Sequence, residues 1–309
     1  MNYNLSALEL RIISLLDTAL SISELTEKTG VTKGYISRTV ATLKYKGFVE
    51  TSKRGITKKV ALSSNLHAAR FKSLLYNRSY MPLEELLHGS AIQILAVLAC
   101  GSVDFARLRE ESGVSRATLW RWIRKFKEHA MLLSRNDEYE LAHDLKDIRE
   151  FLEHYSSYFA VSALKEISPT GNFIVSKGFE FLFSLKGEIM HENVRSTGLT
   201  LISKEIPLML VENYYFYPYR TLSREEIAVH AIVADPHSKR NLTYVIMYIL
   251  KAKLDIAVFF KIAKRYKVED IAGNVLKLLN TWEQSEEPYM PDPEYVREKL
   301  KEYDIRWQE

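Results

Sequence analysis

Two stretches of this chain carry basic and hydrogen-bonding side chains at helical spacing. The first holds Lys33, Tyr35, Ser37, Arg38, Thr42 and Lys44, and the second holds Arg116, Thr118, Arg121, Arg124 and Lys125. Lysine and arginine bind phosphate, and arginine and short hydroxyl side chains also hydrogen-bond to base edges in the major groove of DNA. These residue types and their spacing predict two surfaces that contact double-stranded DNA.

A second basic cluster follows the first stretch. Two β-prone runs predict a hairpin whose cationic residues are Lys53 and Arg54 at the tip and Lys58 and Lys59 on the return strand. We expect these four residues to contact phosphates and not bases. The hairpin predicted after the second stretch, residues 134–140, is rich in carboxylates that would repel phosphate. We expect it to be a weak DNA contact or none.

The two stretches belong to one unit that occurs twice. Residues 25–38 align without a gap with residues 108–121, and the identical pairs are Leu25/Leu108, Glu27/Glu110, Gly30/Gly113, Val31/Val114 and Arg38/Arg121. A short helix, a glycine turn and a second amphipathic helix form the helix-turn-helix pattern. The second helix of that pattern enters the major groove of DNA.

Local signals around each repeat predict the elements that position these side chains. Ser21 and Glu24 are typical of a capping box, Gly30 of a left-handed turn and Thr32 of the cap of the next helix. The second repeat offers Asp104, Gly113 and Ser115 at the corresponding places. The buried stripes of the two DNA-facing helices are predicted to be Ile36, Val40 and Leu43, and Leu119, Ile123 and Phe126.

Both repeats resemble winged-helix domains of the MarR/ArsR kind, common in transcription regulators. The resemblance covers residues 1–145, with one domain at 1–65, a helical connector at 66–89 and a second domain at 90–145. It implies binding to double-stranded DNA. Two alternatives stay open: winged helices also serve as protein–protein modules, and Trp120 or Trp122 could pack against a neighbouring domain.

Charge and composition favour a DNA-binding protein of the cytoplasm. Residues 1–70 carry 11 Lys and Arg against 5 Asp and Glu, whereas residues 146–309 carry 22 against 24. The positive excess therefore lies at the first repeat, where a polyanion would dock. Cys100 is the only cysteine, which excludes a disulfide framework. We expect a cytoplasmic location, because neither a signal peptide nor an apolar run long enough to cross a membrane is evident.

The C-terminal part has a different pattern, which predicts an α+β domain at 146–285 with a helical end. The predicted helices are 148–167, 241–251, 256–266 and 268–285, and the β-prone runs are 173–176, 199–202 and 208–211. A proline-punctuated tail follows at 286–309. The predicted fold class is α+β: two tandem winged helix-turn-helix domains followed by a mixed α+β domain.

The order of segments in this part resembles the C-terminal region of AbiEi-type antitoxin and regulator proteins. The matching segments are the helical lead, 178–183, 197–200, 207–214 and the C-terminal helices, within about residues 147–285. The resemblance implies repression of the protein's own operon and, for some members, neutralisation of a nucleotidyltransferase toxin. Members of the family have one N-terminal winged helix, so the second repeat puts the toxin partnership in more doubt than the DNA binding.

Residues able to support catalysis or metal binding are few. His230, Asp235 and His237 lie within eight residues but lack the usual spacing of zinc ligands, and we expect them to be solvated loop residues. Gly101 and Ser102 precede Asp104 as in a nucleotidyltransferase motif, although Asp104 is better explained as a helix cap. We therefore expect no enzymatic activity, no metal and no cofactor.

The densest aromatic cluster runs from Tyr214 to Tyr219 and ends beside Arg220. In a strand, alternate side chains face opposite sides, so one set can be core and the other exposed. A core role and a protein or ligand contact both remain open. The candidates for a partner or ligand contact are Tyr215, Tyr217, Tyr219 and Arg220.

The predicted function is that of a sequence-specific regulator, most simply a repressor, that binds double-stranded DNA through two winged helices. The C-terminal domain would sense a ligand or bind a protein. The first alternative is an antitoxin that autoregulates its operon, and the second is a protein-binding scaffold without DNA binding. A steep dependence of DNA affinity on salt would separate the first two functions from the third.

Overall fold

The computed structural model describes residues 3–54 and 57–306 and has the predicted α+β class, with small antiparallel sheets. The chain forms two compact units. Unit 1 contains Met1–Ala163 and Lys177–Phe179, and unit 2 contains Leu164–Ser176 and Glu180–Glu309. Among the described residues, no helix has the length and apolar character needed to cross a membrane.

Unit 1 begins with a three-helix and hairpin arrangement that we call module 1. It consists of α1 (Ala7–Leu15), β1 (Leu20–Ser21), α2 (Ile22–Thr29), α3 (Lys33–Tyr45), β2 (Val49–Arg54) and β3 (Thr57–Leu62). The sheet order is β1-β3-β2, with antiparallel pairs such as Leu20 with Val60 and Val49 with Leu62.

The predicted helical connector follows and consists of two helices, the second of which begins directly after Pro82. Its elements are α4 (Leu66–Asn77) and α5 (Leu83–Leu86). It packs closely on module 1: Lys72 pairs with Asp17 at 2.7 Å, and the amide of Gly89 donates to the carbonyl of Leu5 at 2.7 Å.

Module 2 repeats the arrangement of module 1. It consists of α6 (Ala91–Ala99), β4 (Val103–Asp104), α7 (Phe105–Ser112), α8 (Arg116–Glu128), β5 (Leu132–Arg135) and β6 (Glu138–Leu141). Its sheet order, β4-β6-β5, corresponds to that of module 1. The offset of the sequence repeat is thus matched by the order of helices and strands.

The predicted caps and turns are present, with one exception. Ser21 and Glu24 form the reciprocal capping box, and Gly30 and Gly113 have φ of 73° and 65°. Thr32 stands at the N-cap of α3, but its side chain makes no capping hydrogen bond, so the predicted Thr32 cap is wrong in this respect. The equivalent Ser115 does accept from the amide of Thr118 at 3.2 Å.

Unit 1 ends with most of α9 (Lys146–Ile167), whose aromatic side chains complete the core beside module 1. Phe151 packs against Phe71 with ring centroids 5.0 Å apart, and Tyr155 packs against Phe48 at 5.1 Å. The helix starts at Lys146, and its last residues, from Leu164 onward, belong to unit 2.

Unit 2 combines a four-stranded antiparallel sheet with a layer of helices. Its elements are β7 (Asn172–Lys177), β8 (Glu180–Leu185), β9 (Arg195–Ser196), α10 (Leu199–Glu205), β10 (Asn213–Tyr217), α11 (Arg224–Ala234), α12 (Lys239–Ala252), α13 (Ile256–Arg265), α14 (Glu269–Thr281) and α15 (Pro293–Glu302). The sheet order is β7-β8-β10-β9. Its core is centred on α11 and α12, where Ala228, Ile232, Leu242 and Ile246 are fully buried.

Two of the predicted strands in unit 2 are absent. Residues 199–202 begin helix α10, in which Leu199 and Ile202 face the core three residues apart, as a helix requires. Residues 208–211 alternate between half-buried and exposed side chains but pair with no strand. Because a strand needs hydrogen bonds to a neighbour, alternation alone did not produce one.

The tail predicted at 286–309 contains packed structure within its described part. Met290, Val296 and Leu300 are fully buried in the core of unit 2. Asp292 caps α15 through the amide of Glu294 at 2.8 Å. Residues 307–309 lie outside the described part of the chain.

Candidate nucleic-acid interface

The predicted basic face of α3 is exposed. Ile36, Val40 and Leu43 are fully buried in module 1, and burial of this stripe turns the opposite face of the helix towards solvent. The exposed side chains are Lys33, Tyr35, Ser37, Arg38, Thr42 and Lys44. The guanidinium of Arg38 lies 5.6 Å from the ring centroid of Tyr35, so these two side chains support each other on the surface.

Only some of the candidate side chains on the corresponding face of α8 are exposed to solvent. Arg116, Arg121 and Arg124 are exposed, whereas Thr118 and Lys125 are half-buried. Lys125 donates to the carbonyl of Glu85 at 3.2 Å and lies 3.4 Å from its carboxylate, which ties it to the connector. Among the described side chains, none holds Arg116 or Arg121 in a hydrogen bond or ion pair.

Thr118 and Arg124 of α8 already interact with neighbouring side chains and are less well placed to contact DNA. The hydroxyl of Thr118 accepts from that of Ser115 at 3.0 Å, as part of the helix cap. Arg124 lies 4.0 Å from Glu128 in an exposed pair that contributes little stability. On α8, Arg116 and Arg121 are therefore the side chains best placed to meet a polyanion.

The hairpin β2–β3 presents cations of two kinds. Lys53 and Lys58 face each other across the antiparallel ladder, and both are exposed. Lys59 instead donates to Glu24 at 2.9 Å and so fastens β3 to α2. This hydrogen bond, with those from Ser21, lowers the pKa of Glu24 to about 2. The side chain of Arg54 and residues 55 and 56 lie outside the described part of the chain.

The hairpin β5–β6 of module 2 is shorter and turns through two left-handed residues. Asn136 and Asp137 have φ of 47° and 61°, a combination typical of a tight two-residue hairpin turn. Asp137 is exposed beside the half-buried Glu138. This placement agrees with the charge pattern behind the prediction of weak DNA contact, which itself stays a prediction.

The two tryptophans of α8 have different surroundings. Trp122 is buried, donates from Nε1 to Ser90 Oγ at 3.0 Å and meets the ring of His88 at its edge. Trp120 is 46% exposed. Helical spacing accounts for the difference, because Trp122 lies on the same side of α8 as the buried Leu119 and Phe126, whereas Trp120 projects away from them.

Comparisons with protein-family models, curated proteins and solved structures found no match to this chain. Its function must therefore be inferred from its own residues and geometry.

A buried ion pair that sequence reasoning missed anchors the end of α3. Lys46 pairs with Glu9 of α1 at 2.8 Å, and the two side chains are 6% and 5% exposed. His67 of α4 contacts the carbonyl of Lys46 at 3.1 Å. Burial lowers the pKa of His67 to about 4. The three residues lie far apart in sequence, so no local pattern could have indicated the cluster.

In unit 2, the expectation that His230 is a solvated loop residue is wrong. His230 lies on α11 with 1% exposure, and its ring nitrogens contact Thr197 Oγ1 at 2.7 Å and the hydroxyl of Tyr266 at 2.8 Å. Asp235 and His237 are exposed, as expected. Within the described residues, no group of three His, Cys, Asp or Glu side chains is arranged to hold a metal ion.

The aromatic candidates of unit 2 are divided between core and surface. Tyr215 is buried and donates to the carbonyl of Gly187 at 3.2 Å, and Tyr217 is half-buried against the ring of Phe181 at 4.9 Å. Tyr219 is 58% exposed. It is therefore the tyrosine of this set with most surface left for a partner.

Arg220 forms ion pairs with two carboxylates. Its guanidinium donates to Glu180 at 2.5 Å and to Glu226 at 2.7 Å, and only 10% of its side chain is exposed. Burial opposes the charge of Arg220, but the two carboxylates outweigh burial and raise its pKa. This arrangement fixes β8 to the start of α11 and leaves little of the guanidinium for a ligand.

Proposed function

We propose that the chain is a cytoplasmic transcriptional regulator that binds double-stranded DNA through two tandem winged helices. Modules 1 and 2 would be the two domains, with α3 and α8 as recognition helices and the two hairpins as wings. The matching order of helices and strands in the two modules supports this proposal. Repression would follow from occupying a promoter.

The observation that carries the proposal is the exposed cationic surface of module 1. The polar face of α3 and the hairpin cations Lys53 and Lys58 belong to one small module. A helix in the major groove and cations at the adjacent phosphates can therefore bind the same DNA segment. We assign base contacts to Lys33 and Arg38 and phosphate contacts to the hairpin lysines.

Module 2 would contribute mainly through Arg116 and Arg121. We do not include Lys59 and Lys125 among the proposed DNA contacts. Lys59 already pairs with Glu24, and Lys125 with Glu85, so both have a structural role in unit 1. The carboxylates of the second hairpin make its approach to phosphate unfavourable. Module 1 would therefore supply most of the salt-dependent affinity.

The test is a titration of the full chain with duplex DNA, followed by fluorescence anisotropy at two salt concentrations. The DNA upstream of the chain's own gene is compared with unrelated duplex of equal length. We expect tight, selective binding that weakens steeply with salt, because each phosphate contact releases counterions. Equal, weak and salt-insensitive binding to both duplexes would exclude the proposal.

Substitution of the α3 face gives the residue-level test. Arg38→Ala removes a groove contact and is expected to weaken binding to the preferred DNA by about 1–3 kcal/mol. The combined variant Lys33→Ala, Arg38→Ala should abolish selectivity. Its control is Lys277→Ala, Lys301→Ala, which removes the same charge from exposed positions of unit 2. Equal affinity in the two double variants would remove α3 from the interface.

A second candidate function is binding of an acidic protein by unit 2, as in the antitoxin hypothesis. The exposed part of α13 favours it: Ile256 and Phe260, four residues apart on one side of the helix, are each about two-fifths exposed, and the exposed Lys253 and Lys264 lie near the two ends of the helix. An apolar centre with cations beside it suits an acidic protein surface.

The antitoxin hypothesis is tested by calorimetric titration with a nucleotidyltransferase-like protein encoded beside this gene. We expect Phe260→Glu to abolish binding and Met190→Glu, at a fully exposed position elsewhere in unit 2, to leave it unchanged. Binding that survives Phe260→Glu would exclude α13 as the contact, and absence of binding by the unchanged chain would exclude this candidate.

A further inference from the structure

Trp120 lies in the middle of the exposed face of α8. Arg116, Trp120 and Arg124 are four residues apart, so they form one row along the helix with an arginine one turn away on each side. All three side chains are exposed, whereas the adjacent stripe of Leu119, Ile123 and Phe126 is buried. A large apolar side chain therefore occupies the centre of a cationic surface.

The indole of Trp120 is held in place by a second aromatic ring. Its ring centroid lies 4.7 Å from that of Phe105, at an interplanar angle of 28°. Phe105 is the first residue of α7, whose position is fixed by the Asp104 cap. Because stacking restricts the indole before any ligand arrives, binding through Trp120 costs less conformational entropy than binding through a freely rotating side chain.

The chemistry of the face limits what Trp120 can meet. In the major groove, the four base pairs present hydrogen-bonding groups, and the one apolar group is the C5 methyl of thymine. The edge of this indole can contact the methyl group while Arg116, one turn away on the same row, binds a phosphate or guanine. One ring face is already stacked on Phe105, which makes contact with a methyl group a better fit than sandwiching an unpaired base.

Module 1 offers different chemistry at the same place. The corresponding row of α3 is Lys33, Ser37 and Ala41, all exposed and without an aromatic side chain. Trp120 thus corresponds to Ser37 in the sequence repeat. The two helices therefore expose different chemistry, although their modules have the same order of elements.

We propose that Trp120 contacts the C5 methyl group of thymine in the DNA segment bound by α8, and so determines the sequence preference of module 2. This inference rests on the proposed DNA-binding function. Module 2 would then recognise thymine through its methyl group, whereas module 1 would recognise bases through hydrogen bonds.

The test removes the methyl group without changing base pairing. Preferred duplexes are first selected from a random-sequence pool with the full chain, and each thymine is then replaced singly by deoxyuridine. We expect one or two positions at which the unchanged chain loses about fourfold in affinity, the equilibrium equivalent of one buried methyl group. The variant Trp120→Gln should bind more weakly and show no difference between thymine and deoxyuridine at those positions.

Two further variants keep the test decisive. Trp120→Phe retains an aromatic ring and should keep the sensitivity to deoxyuridine. Ser37→Ala, at the corresponding position of module 1, should leave the sensitivity to deoxyuridine at the same positions unchanged. Circular dichroism melting confirms that each variant is folded.

The outcomes separate this inference from the proposed function. Selective binding without any effect of deoxyuridine, or with the same effect in Trp120→Gln, would overturn the role of Trp120 and leave DNA binding intact. Failure to select any preferred duplex would overturn both.

Discussion

At the scale of single residues, ion pairs within unit 1 decide which cations would be available for DNA under the proposed function. Lys46, Lys59 and Lys125 each lie against a carboxylate of unit 1, whereas Lys33, Lys58 and Arg121 point to solvent. A lysine already paired with a carboxylate gains less from a phosphate, because the first ion pair must be broken or shared. A count of the basic residues in the sequence therefore overestimates the number of cations available to bind phosphate.

The buried His67 predicts a dependence of stability on pH. Its pKa is about 4 in the folded chain against an ordinary value of 6.5, because burial disfavours the charged ring. The unfolded chain thus binds the proton first as pH falls. The stability that neutral His67 contributes is fully present above about pH 6.5 and is lost progressively down to about pH 4, up to about 3 kcal/mol.

The measurement is the free energy of unfolding by denaturant at several pH values between 7 and 4. His67→Gln should flatten the fall in this window, because glutamine does not titrate. His143→Gln, at an exposed histidine, serves as the control and should keep the slope of the unchanged chain. An equal slope in all three proteins would assign the acid sensitivity to other groups.

At the scale of elements, the junctions between helices and strands position the two exposed faces. Gly30 and Gly47 both have φ close to +74°, and each ends a helix of module 1. A Cβ at Gly30 would meet no atom within 4 Å, whereas one at Gly47 would lie 2.3 Å from Cζ of Tyr158 on α9. The end of α3 is therefore fixed by tertiary packing as well as by its backbone conformation.

This difference predicts unequal effects of alanine at the two glycines. Gly30→Ala should destabilise unit 1 by about 1–2 kcal/mol, the cost of a left-handed residue with a side chain. Gly47→Ala should cost more, because Tyr158 must also move. Thermal unfolding of both variants, with and without Tyr158→Ala, checks the reason: removal of the ring should relieve only Gly47→Ala. Equal losses at the two positions would contradict it.

At the scale of the whole molecule, the two modules lie in one compact unit and are joined by a packed connector. Trp122 of α8 packs on the ring of His88 in the connector, Lys125 donates to Glu85 of the connector, and Lys72 of the connector pairs with Asp17 of module 1. If α3 and α8 are the recognition helices of the proposed function, this packing would hold the DNA segments that they bind at a fixed separation. Because α3 and α8 present different side chains, the two segments should also differ in sequence and not form a palindrome.

Fixed separation predicts sensitivity to spacing in the DNA. Insertion of five base pairs between the two segments turns one by about half a helical turn, so that only one module can bind at a time. We expect anisotropy titrations to show affinity falling to that of a duplex with only one segment. Affinity unchanged by the insertion would mean that module 2 makes no sequence-dependent contact.

Much of the fold could be predicted because its signals are local. Capping boxes, glycine turns and apolar stripes act over three to four residues, and these signals correctly placed α2, α3, α7 and α8. The strand predicted at 199–202 failed because a short apolar run suits either a strand or a buried helix, and only its neighbours decide.

The sequence by itself determined the duplicated helix-turn-helix pattern and the candidate cations, since both depend on residue type and spacing. Only the tertiary structure decided which cations form ion pairs within the chain and that Arg220 lies between two carboxylates. Lys59 and Glu24 are 35 residues apart, and Arg220 and Glu180 are 40 apart. Contacts over such separations arise from how the elements pack, and no local pattern in the chain specifies them.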